Sequence, residues 1–251
     1  DVVFTGKIGS DIVGKQSSHL FDDEGIDTQG ILSDEDSPSG IALITVDQFG
    51  ENSIVVAPGA NANLVPHDVE KAFARYPKGK ILLIQLEIPM DTVEFAAAHA
   101  RKQGIKVILN PAPANDRISK LFPLIDIITP NVHEAEMLTG IRITDIPSAM
   151  RAAESIYAQG VGNVIITLGK KGAVLLENGV VSHIPAPEVE TVDTTAAGDV
   201  FNGALAVAIA EGKELADAIA FACRAASISV TRFGAQSSIP FRNEVILSSL
   251  V

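Results

Sequence analysis

KILLIQLEI (residues 80–88), DTVEFAAAHARKQG (residues 91–104) and KVILN (residues 106–110) follow one another in the chain and decide the fold. The first and third segments are continuous apolar runs, which are typical of strands buried on both faces. The middle segment has helical spacing and ends at Gly104, a common helix stop. A strand, a helix and a second strand in this order predict a parallel sheet covered by helices.

The same alternation continues through the middle of the chain. Further strands and helices are predicted, in chain order, for LIDIITP (124–130), NVHEAEMLTG (131–140), IPSAMRAAESIYAQG (146–160) and NVIITLG (163–169). The final third is nearly all helical, with segments at 198–212 and 213–232 and a short helix from Pro240. We therefore expect an α/β fold with a central, mostly parallel sheet and helices on both faces.

Two segments interrupt the alternation and predict β-hairpins. SGIALITVDQFGENSIVVAPGAN (residues 39–61) contains two β runs around residues 47–52. GAVLLENGVVSHIPA (residues 172–186) turns at Asn178-Gly179, a strong type I′ signal. The first hairpin is expected to be part of a lid or a small subdomain, because this chain supplies cover for only half of it.

Composition and charge restrict the partners of the protein. The 251 residues carry a net charge of −12, which argues against nucleic acids and anionic membranes. The single cysteine, Cys223, excludes an internal disulfide and fits a cytoplasmic protein. The sequence begins at Asp1 without a Met, so we expect that the natural start is missing.

The stretch DTTAAGD (residues 193–199) is the strongest candidate for a phosphate site. The chain has neither a P-loop nor a G-x-G-x-x-G pattern. Small residues at the start of a helix let a ligand approach free N–H groups at the positive end of the helix dipole. Asp199 in the first turn is suited to be a general base, but a simple helix cap is an equally good interpretation of these residues alone.

Four segments together resemble the ribokinase (PfkB-type) family of sugar kinases. They are TPNVHEAEMLTG (129–140), VIITLGKKGA (164–173), TVDTTAAGDVFNGAL (191–205) and SVTRFGAQSSIP (229–240). The resemblance extends from Val3 nearly to the last residue and includes the order and spacing of the segments. PGAN (58–61), QLE (85–87) and NPAPA (110–114) are most similar to the ribose kinases of the family.

The resemblance implies a ribokinase-like α/β fold with a small β lid, formed as a single domain over residues 1–251. The hairpin at 39–61 would belong to the lid and cover the sugar. The family's N-terminal Asn-x-Asp strand and its Gly-Gly segment, which grip the sugar, are absent from this sequence. We therefore expect that the chain lacks its N-terminal segment, and that without that segment sugar phosphorylation would be poor.

The resemblance also implies roles for individual residues. Asp199 would be the catalytic base, with the amides of Ala197 and Gly198 as an anion hole. Glu87 and Asp199 would bind the sugar, although a solvent-facing Glu87 at a strand end is the simpler alternative. The nucleotide would contact Asn131, Thr167, Leu168, Gly169, Lys170, Lys171, Gly172, Gly198, Asp199 and Cys223.

Three of these assignments keep a structural alternative. Asn131 is equally suited to cap the helix that follows it. Lys170 and Lys171, taken alone, are more often solvated lysines of a tight turn. Cys223 lies in an apolar helix, where it fills either the edge of the adenine pocket or the core.

Two metal sites follow from the resemblance. Glu134, in Asn-x-x-Glu, would organise Mg²⁺, a cation that keeps several waters and takes few protein carboxylates. A monovalent cation such as K⁺ would be held mainly by backbone carbonyls. Its predicted residues are Asp193, Thr195, Ser229, Arg232, Gly234 and Ser238.

The predicted function is ATP-dependent phosphorylation of D-ribose to D-ribose 5-phosphate. The alternatives are a kinase of deoxyribose, fructose or a nucleoside, and a non-catalytic nucleotide- or sugar-binding protein on the same scaffold. A homodimer through the lid is also expected, because the lid face is uncovered and the family often dimerises in this way.

Overall fold

The structure, a computed structural model, describes residues 1–46 and 52–247. Residues 47–51 of the turn predicted around 47–52 in the first hairpin therefore lie outside the described residues. The chain divides into two compact units. The first contains residues 1–79 and 86–99, and the second contains residues 80–85 and 100–251. The single domain expected from the sequence stays a prediction.

The first unit contains a β-α-β element and a hairpin. Strands β1 (Val3–Gly9) and β2 (Asp27–Asp34) are parallel and are joined by helix α1 (Ile12–Asp23). Strands β3 (Ile41–Val46) and β4 (Asn52–Ala57) pair antiparallel, as the pattern of residues 39–61 predicted. Helix α2 (Pro66–Arg75) follows them.

Asp11 fixes the start of α1 and the approach to the hairpin. Its carboxylate accepts from the Gly14 amide at 2.8 Å, which caps α1. It also accepts from the Ser39 amide at 2.8 Å and from the Ser39 hydroxyl at 2.7 Å. These hydrogen bonds hold the pKa of Asp11 below its usual value.

The second unit is built on a six-stranded sheet. Its strands are β5 (Ile81–Ile84), β6 (Lys106–Leu109), β7 (Ile127–Ile128), β8 (Asn163–Thr167), β9 (Ala173–Glu177) and β10 (Val180–Ile184). The order is β10-β9-β8-β7-β6-β5, with β5 to β8 parallel and the hairpin β9–β10 antiparallel at one edge. The predicted α/β class is confirmed, and the turn at Asn178-Gly179 has the positive φ angles, 51° and 77°, of a type I′ hairpin.

Helix α3 (Met90–Lys102) lies mostly in the first unit, which includes residues 86–99. In the described part of the second unit, the helices are α4 (Val132–Thr139), α5 (Ile146–Tyr157), α6 (Ala197–Ala210), α7 (Leu215–Ser229) and α8 (Arg242–Leu247). Helix α4 ends at Gly140, whose φ of 70° is left-handed. Helix α5 begins at Asp145, whose carboxylate accepts from the Ser148 amide.

Apolar packing fixes α6 and α7 on the sheet. Ile108, Ile127 and Ile165 are buried in one cluster with Phe201 of α6 and Ile219 of α7. Because successive side chains of a strand face opposite sides of the sheet, the residues next to these three isoleucines point to the other face. Helix α5 contacts strands β8 and β9. Among the described residues, no helix is both long and apolar enough to cross a bilayer.

Two strands are shorter than their apolar runs. The run at residues 80–88 forms a strand only over Ile81–Ile84, and the run at 124–130 only over Ile127–Ile128. A 3₁₀ helix, Asp116–Leu124, which the pattern did not predict, precedes β7 and begins where the Asn115 side chain accepts from the Arg117 amide. Gln85 and Thr129 follow the ends of β5 and β7, and their side chains are available to the site, although the Thr129 amide still donates to the Leu109 carbonyl at 3.0 Å.

Candidate active site

The start of α6 presents free backbone amides. Ala196 precedes the helix in the left-handed conformation, with φ 59°, and no side chain caps the helix. The Ala197 amide donates to the Thr194 carbonyl at 3.2 Å, and the helical ladder begins with the Val200 amide. In the described part of the chain, the amides of Gly198 and Asp199 have no hydrogen-bond partner. The predicted anion hole included the Ala197 amide, which is already used by Thr194, so the free donors are the amides of Gly198 and Asp199.

The space beside these amides is open. A Cβ built on Gly198 would meet no atom within 4 Å. A ligand can therefore approach the backbone at this position, where the helix dipole favours negative charge. The first turn of α6 has the geometry of an anion site.

Asp199 is the third residue of α6 and its side chain does not cap the helix. Its Oδ1 accepts from Gln85 Nε2 at 3.1 Å. The carboxylate is open to solvent on one side, yet the protein around it removes enough water to raise its pKa, and the Gln85 hydrogen bond opposes that rise. The motif QLE predicts no role for Gln85, because its contact with Asp199 joins residues that are 114 positions apart in the chain.

A buried polar link holds the first turn of α6 against the sheet. Thr129 Oγ1, just after β7, donates to Asn202 Oδ1 at 2.7 Å, and Asn202 Nδ2 donates to the Gly198 carbonyl at 2.9 Å. Thr129 and Asn202 are 2% and 4% exposed. Neither residue was predicted as part of the site, although both lie inside segments that resemble the family, TPNVHEAEMLTG and TVDTTAAGDVFNGAL.

Asn131 and Glu134 form a reciprocal capping box at the start of α4. Asn131 Oδ1 accepts from the Glu134 amide at 2.9 Å, while the two Glu134 oxygens accept from the Asn131 amide nitrogens at 2.8 and 2.9 Å. Burial raises the pKa of Glu134, and the hydrogen bonds from Asn131 oppose this. The capping alternative for Asn131 is therefore confirmed, and Glu134 retains the lone pairs that a water-rich Mg²⁺ site needs.

The predicted nucleotide loop is a tight 3₁₀ turn. The Leu168 amide donates to the Gly172 carbonyl at 2.7 Å, and the Gly172 amide donates to the Gly169 carbonyl at 2.9 Å. Gly172 has φ 88°, and a Cβ there would lie 2.1 Å from the Ile184 carbonyl oxygen. The loop is tied to the capping box because the Thr167 amide donates to the Pro130 carbonyl at 2.9 Å.

A small concave surface lies between this loop and the segment before α5. Val132, Ile143, Thr144, Asp145, Leu168 and Lys171 line it. Lys170 and Lys171 are both exposed. Hydrogen bonds from Ser148 are the main cause of the lowered pKa of Asp145, and the charge of Lys171 makes a minor contribution. Both lysines fit either predicted interpretation, a phosphate contact or a solvated turn.

Asp193 connects the loop before α6 to the loop after α7. Its Oδ1 accepts from the Thr195 amide at 2.9 Å and the Thr195 hydroxyl at 2.7 Å, and its Oδ2 accepts from the Gly234 amide at 2.9 Å. These contacts lower the pKa of Asp193. Three of the predicted cation residues are thus brought together.

The remaining predicted cation residues make local contacts. The hydroxyls of Ser229 and Ser238, both 1% exposed, donate to the carbonyls three residues before them. Arg232 pairs with Glu244 of α8 at 2.5 Å. The Arg232 amide also donates to the Ser229 carbonyl at 3.0 Å. A monovalent cation site here stays a prediction.

Cys223 lies in the core. It is 5% exposed and belongs to the cluster that α6 and α7 form with the sheet. Burial raises its pKa to about 12, so the thiol is protonated. This position favours the core-filling alternative, and the adenine contact stays a prediction.

Glu87 is exposed and belongs to the first unit. Its role as a sugar ligand stays a prediction. Within residues 1–46 and 52–247, no group of three or more His, Cys, Asp or Glu side chains is placed to hold a metal ion.

Comparison with known proteins gives a consistent result. A model described as pfkB family carbohydrate kinase matches residues 1–242. The ribokinase of Haemophilus influenzae is 46% identical over 245 residues, which cover 98% of this chain and 80% of that protein. The deoxyribokinase of Salmonella typhi is 35% identical over 240 residues, which cover 95% of this chain and 78% of that protein.

A solved structure of Arabidopsis thaliana ribokinase complexed with ribose and ATP is also similar. Its TM-score is 0.87 at 32% identity, with 97% of this chain and 80% of that chain covered. The similarity therefore extends to the backbone fold of nearly the whole chain.

Proposed function

The chain belongs to the pfkB family of carbohydrate kinases, and from this premise we propose that it phosphorylates D-ribose at the 5-hydroxyl with ATP as donor. The resemblance inferred from the sequence motifs is confirmed by the family match. The observation that carries the assignment of the reacting centre is the first turn of α6, where the Asp199 carboxylate stands beside two free amides.

Each group in this turn has a defined task in the transfer. Asp199 accepts the proton of the sugar hydroxyl while the hydroxyl oxygen of the sugar forms a bond to the γ-phosphorus of ATP. The bond from that phosphorus to the bridging oxygen breaks, and ADP leaves. The amides of Gly198 and Asp199 donate to the phosphoryl oxygens as charge gathers on them. The raised pKa of Asp199 makes it a stronger base than an ordinary aspartate.

The nucleotide is assigned to the second unit. The loop of residues 167–172 and the start of α4 are joined by the hydrogen bond from Thr167 to Pro130, which supports one continuous nucleotide surface. Glu134 would hold Mg²⁺ through bound water, and the ion would supply positive charge to the phosphate oxygens.

The monovalent cation is proposed for the paired loops that Asp193 connects. Because Asp193 accepts from both Thr195 and Gly234, those loops are already close together. A cation there would stabilise the loop leading into α6 and would not contact the sugar. Glu87 is proposed as a ligand of the sugar hydroxyls.

The substrate needs a direct comparison, because a deoxyribokinase is among the relatives. Purified full-length protein should be assayed for ADP release with D-ribose, 2-deoxy-D-ribose, D-fructose and a nucleoside. We expect the highest kcat/KM with D-ribose. A higher value with deoxyribose would replace the proposed substrate, and no ADP release with any of them would support the non-catalytic alternative.

The role of Asp199 is tested by Asp199→Asn. We expect kcat to fall by about 10²–10⁴-fold, the usual contribution of a general base, while ATP binding by calorimetry stays within a few fold. Asp217→Asn is a matched control, because Asp217 occupies the same third position of α7 and is exposed. Near-normal turnover of Asp199→Asn would refute the assignment of Asp199 as the catalytic base.

The lid is proposed to pair with the lid of a second copy. The side chains of Ile41, Leu43, Val55 and Val56 on β3 and β4 are 47–65% exposed. A two-stranded sheet with exposed apolar residues is marginal alone and gains stability from a partner. Light scattering should give a dimer mass, and Leu43→Lys should shift it to the monomer; a monomeric parent protein would refute this pairing.

A further inference from the structure

Gln85 is placed where β5 stops and α6 starts. Strand β5 ends at Ile84, so the backbone of Gln85 is free of the sheet ladder. Its side chain is half-buried and reaches across to Asp199, with Nε2 3.1 Å from Oδ1. Both residues belong to the second unit, and β5 and α6 pack against each other there.

The contact has a chemical consequence for the carboxylate. An ionised carboxylate only accepts hydrogen bonds, so the side-chain amide must direct its N–H toward Oδ1. Oδ1 accepts the Gln85 hydrogen bond, whereas Oδ2 accepts none from the described residues, so Oδ2 is the oxygen with more free capacity for a proton. The side-chain amide of Gln85 is neutral at every working pH. It therefore orients the Asp199 carboxylate without the large decrease in pKa that a positively charged neighbour would cause, and a lower pKa would make Asp199 a weaker base.

We propose that Gln85 is a positioning residue for the catalytic base, which holds Asp199 Oδ1 so that Oδ2 faces the sugar hydroxyl. The proposal rests on the proposed function, because it needs Asp199 to be the base. It adds a residue outside the four nucleotide-side motifs and outside the assigned sugar ligands.

The electrostatic surroundings of Asp199 are consistent with this role. Burial raises its pKa and the Gln85 hydrogen bond lowers it, and among the described residues no charged side chain contributes to the shift from any packed element. Gln85 is therefore the one identified side chain that stabilises the ionised form. Its removal should make the carboxylate easier to protonate, so the acidic limb of the rate profile should move to higher pH.

The test compares Gln85→Met with the parent protein by measuring kcat and kcat/KM for ribose against pH. Methionine keeps the length of the side chain but has no donor. We expect the acidic limb to move to higher pH and kcat near pH 7.5 to fall about tenfold, the equivalent of one hydrogen bond to a charged group. Gln159→Met is the control, because Gln159 Nε2 makes a similar 3.1 Å bond to the Ser155 carbonyl outside the site.

A second variant keeps the test decisive if Gln85→Met folds poorly. In Gln85→Glu, a protonated carboxyl can donate to Asp199, whereas an ionised one repels it. Activity relative to the parent should therefore decline as pH rises. A profile of either variant that matches the parent, with kcat within twofold, overturns the proposal.

The double variant separates this inference from the proposed function. In Asp199→Asn, adding Gln85→Met should cause no further loss of turnover, because the base that Gln85 positions is gone. If Asp199→Asn keeps near-normal turnover, the assignment of Asp199 as the catalytic base fails, and the inference about Gln85 fails with it, whereas the activity itself is tested by ADP release from the parent protein. If Asp199→Asn is inactive while Gln85→Met has the parent profile, only the role of Gln85 is wrong.

Discussion

Replacing Thr129 by Val removes one hydroxyl from the buried link behind the anion site. Valine has nearly the same shape, so the packing beside β7 is kept. The hydroxyl that donates to Asn202 Oδ1 at 2.7 Å is lost, and no space opens for water at residues that are 2% and 4% exposed. Asn202 then has a buried acceptor without a donor.

The size of the effect follows from that unsatisfied acceptor. Leaving a buried polar group without its partner costs ~1–3 kcal/mol of the free energy of unfolding. For a chain of this size, each kcal/mol lowers Tm by roughly 2–4 °C, so we expect a decrease of about 2–12 °C. We also expect a lower kcat, because Asn202 loses the bond that orients its amide toward the Gly198 carbonyl.

Thermal and urea unfolding of Thr129→Val should be compared with Thr139→Val. The Thr139 hydroxyl also donates at 2.7 Å, to the Ala135 carbonyl within its own helix, and it accepts from the Ile141 amide at 3.1 Å, so its removal affects only nearby backbone groups and orphans no distant side chain. A double-mutant cycle of Thr129→Val with Asn202→Ala should show a coupling of ~0.5–3 kcal/mol. Equal losses in the two threonine variants together with an additive cycle would refute the reasoning.

Three further changes have defined outcomes. Gly172→Ala should lower both stability and ATP affinity, because φ is 88° and the new Cβ would lie 2.1 Å from the Ile184 oxygen; calorimetry of unfolding and of ATP binding measures both. Asp145→Ala should destabilise the protein at pH 7, because hydrogen bonds from Ser148 lower the pKa of Asp145. That stabilisation is present above the unfolded pKa and is lost as pH falls through the lowered folded pKa, so urea midpoints of the variant and the parent should converge in acid. The buried thiol of Cys223, with a pKa of about 12, should react with a thiol reagent at pH 8 only at the rate of unfolding.

Much of the fold follows from local patterns. Continuous apolar runs placed the strands near Ile108, Ile127 and Ile165, and the Asn178-Gly179 turn was correct because its chemistry is local. The ends of the strands were harder, since pairing and not hydrophobicity decides where a ladder stops. The apolar run therefore overstated β5 by including residues that leave the sheet after Ile84.

The local features of the site could also be predicted from the sequence, whereas its long-range contacts could not. DTTAAGD identified Asp199 and the free amides because a helix start is a local feature. The roles of Gln85 and of the pair Thr129–Asn202 could not be predicted, because their contacts join residues that are 114 and 73 positions apart in the chain. Such contacts depend on sheet order, which a single sequence does not display.

The left-handed conformation of Ala196 has a consequence for how the enzyme meets its substrates. A non-glycine residue at φ 59° is strained by ~1–2 kcal/mol, yet alanine has far fewer backbone conformations than glycine. Alanine at this position therefore loses less backbone entropy on folding than glycine would, and that loss is complete before a ligand binds. Little of the interaction energy with the phosphates is then consumed in ordering this backbone, so more of it remains for the transition state.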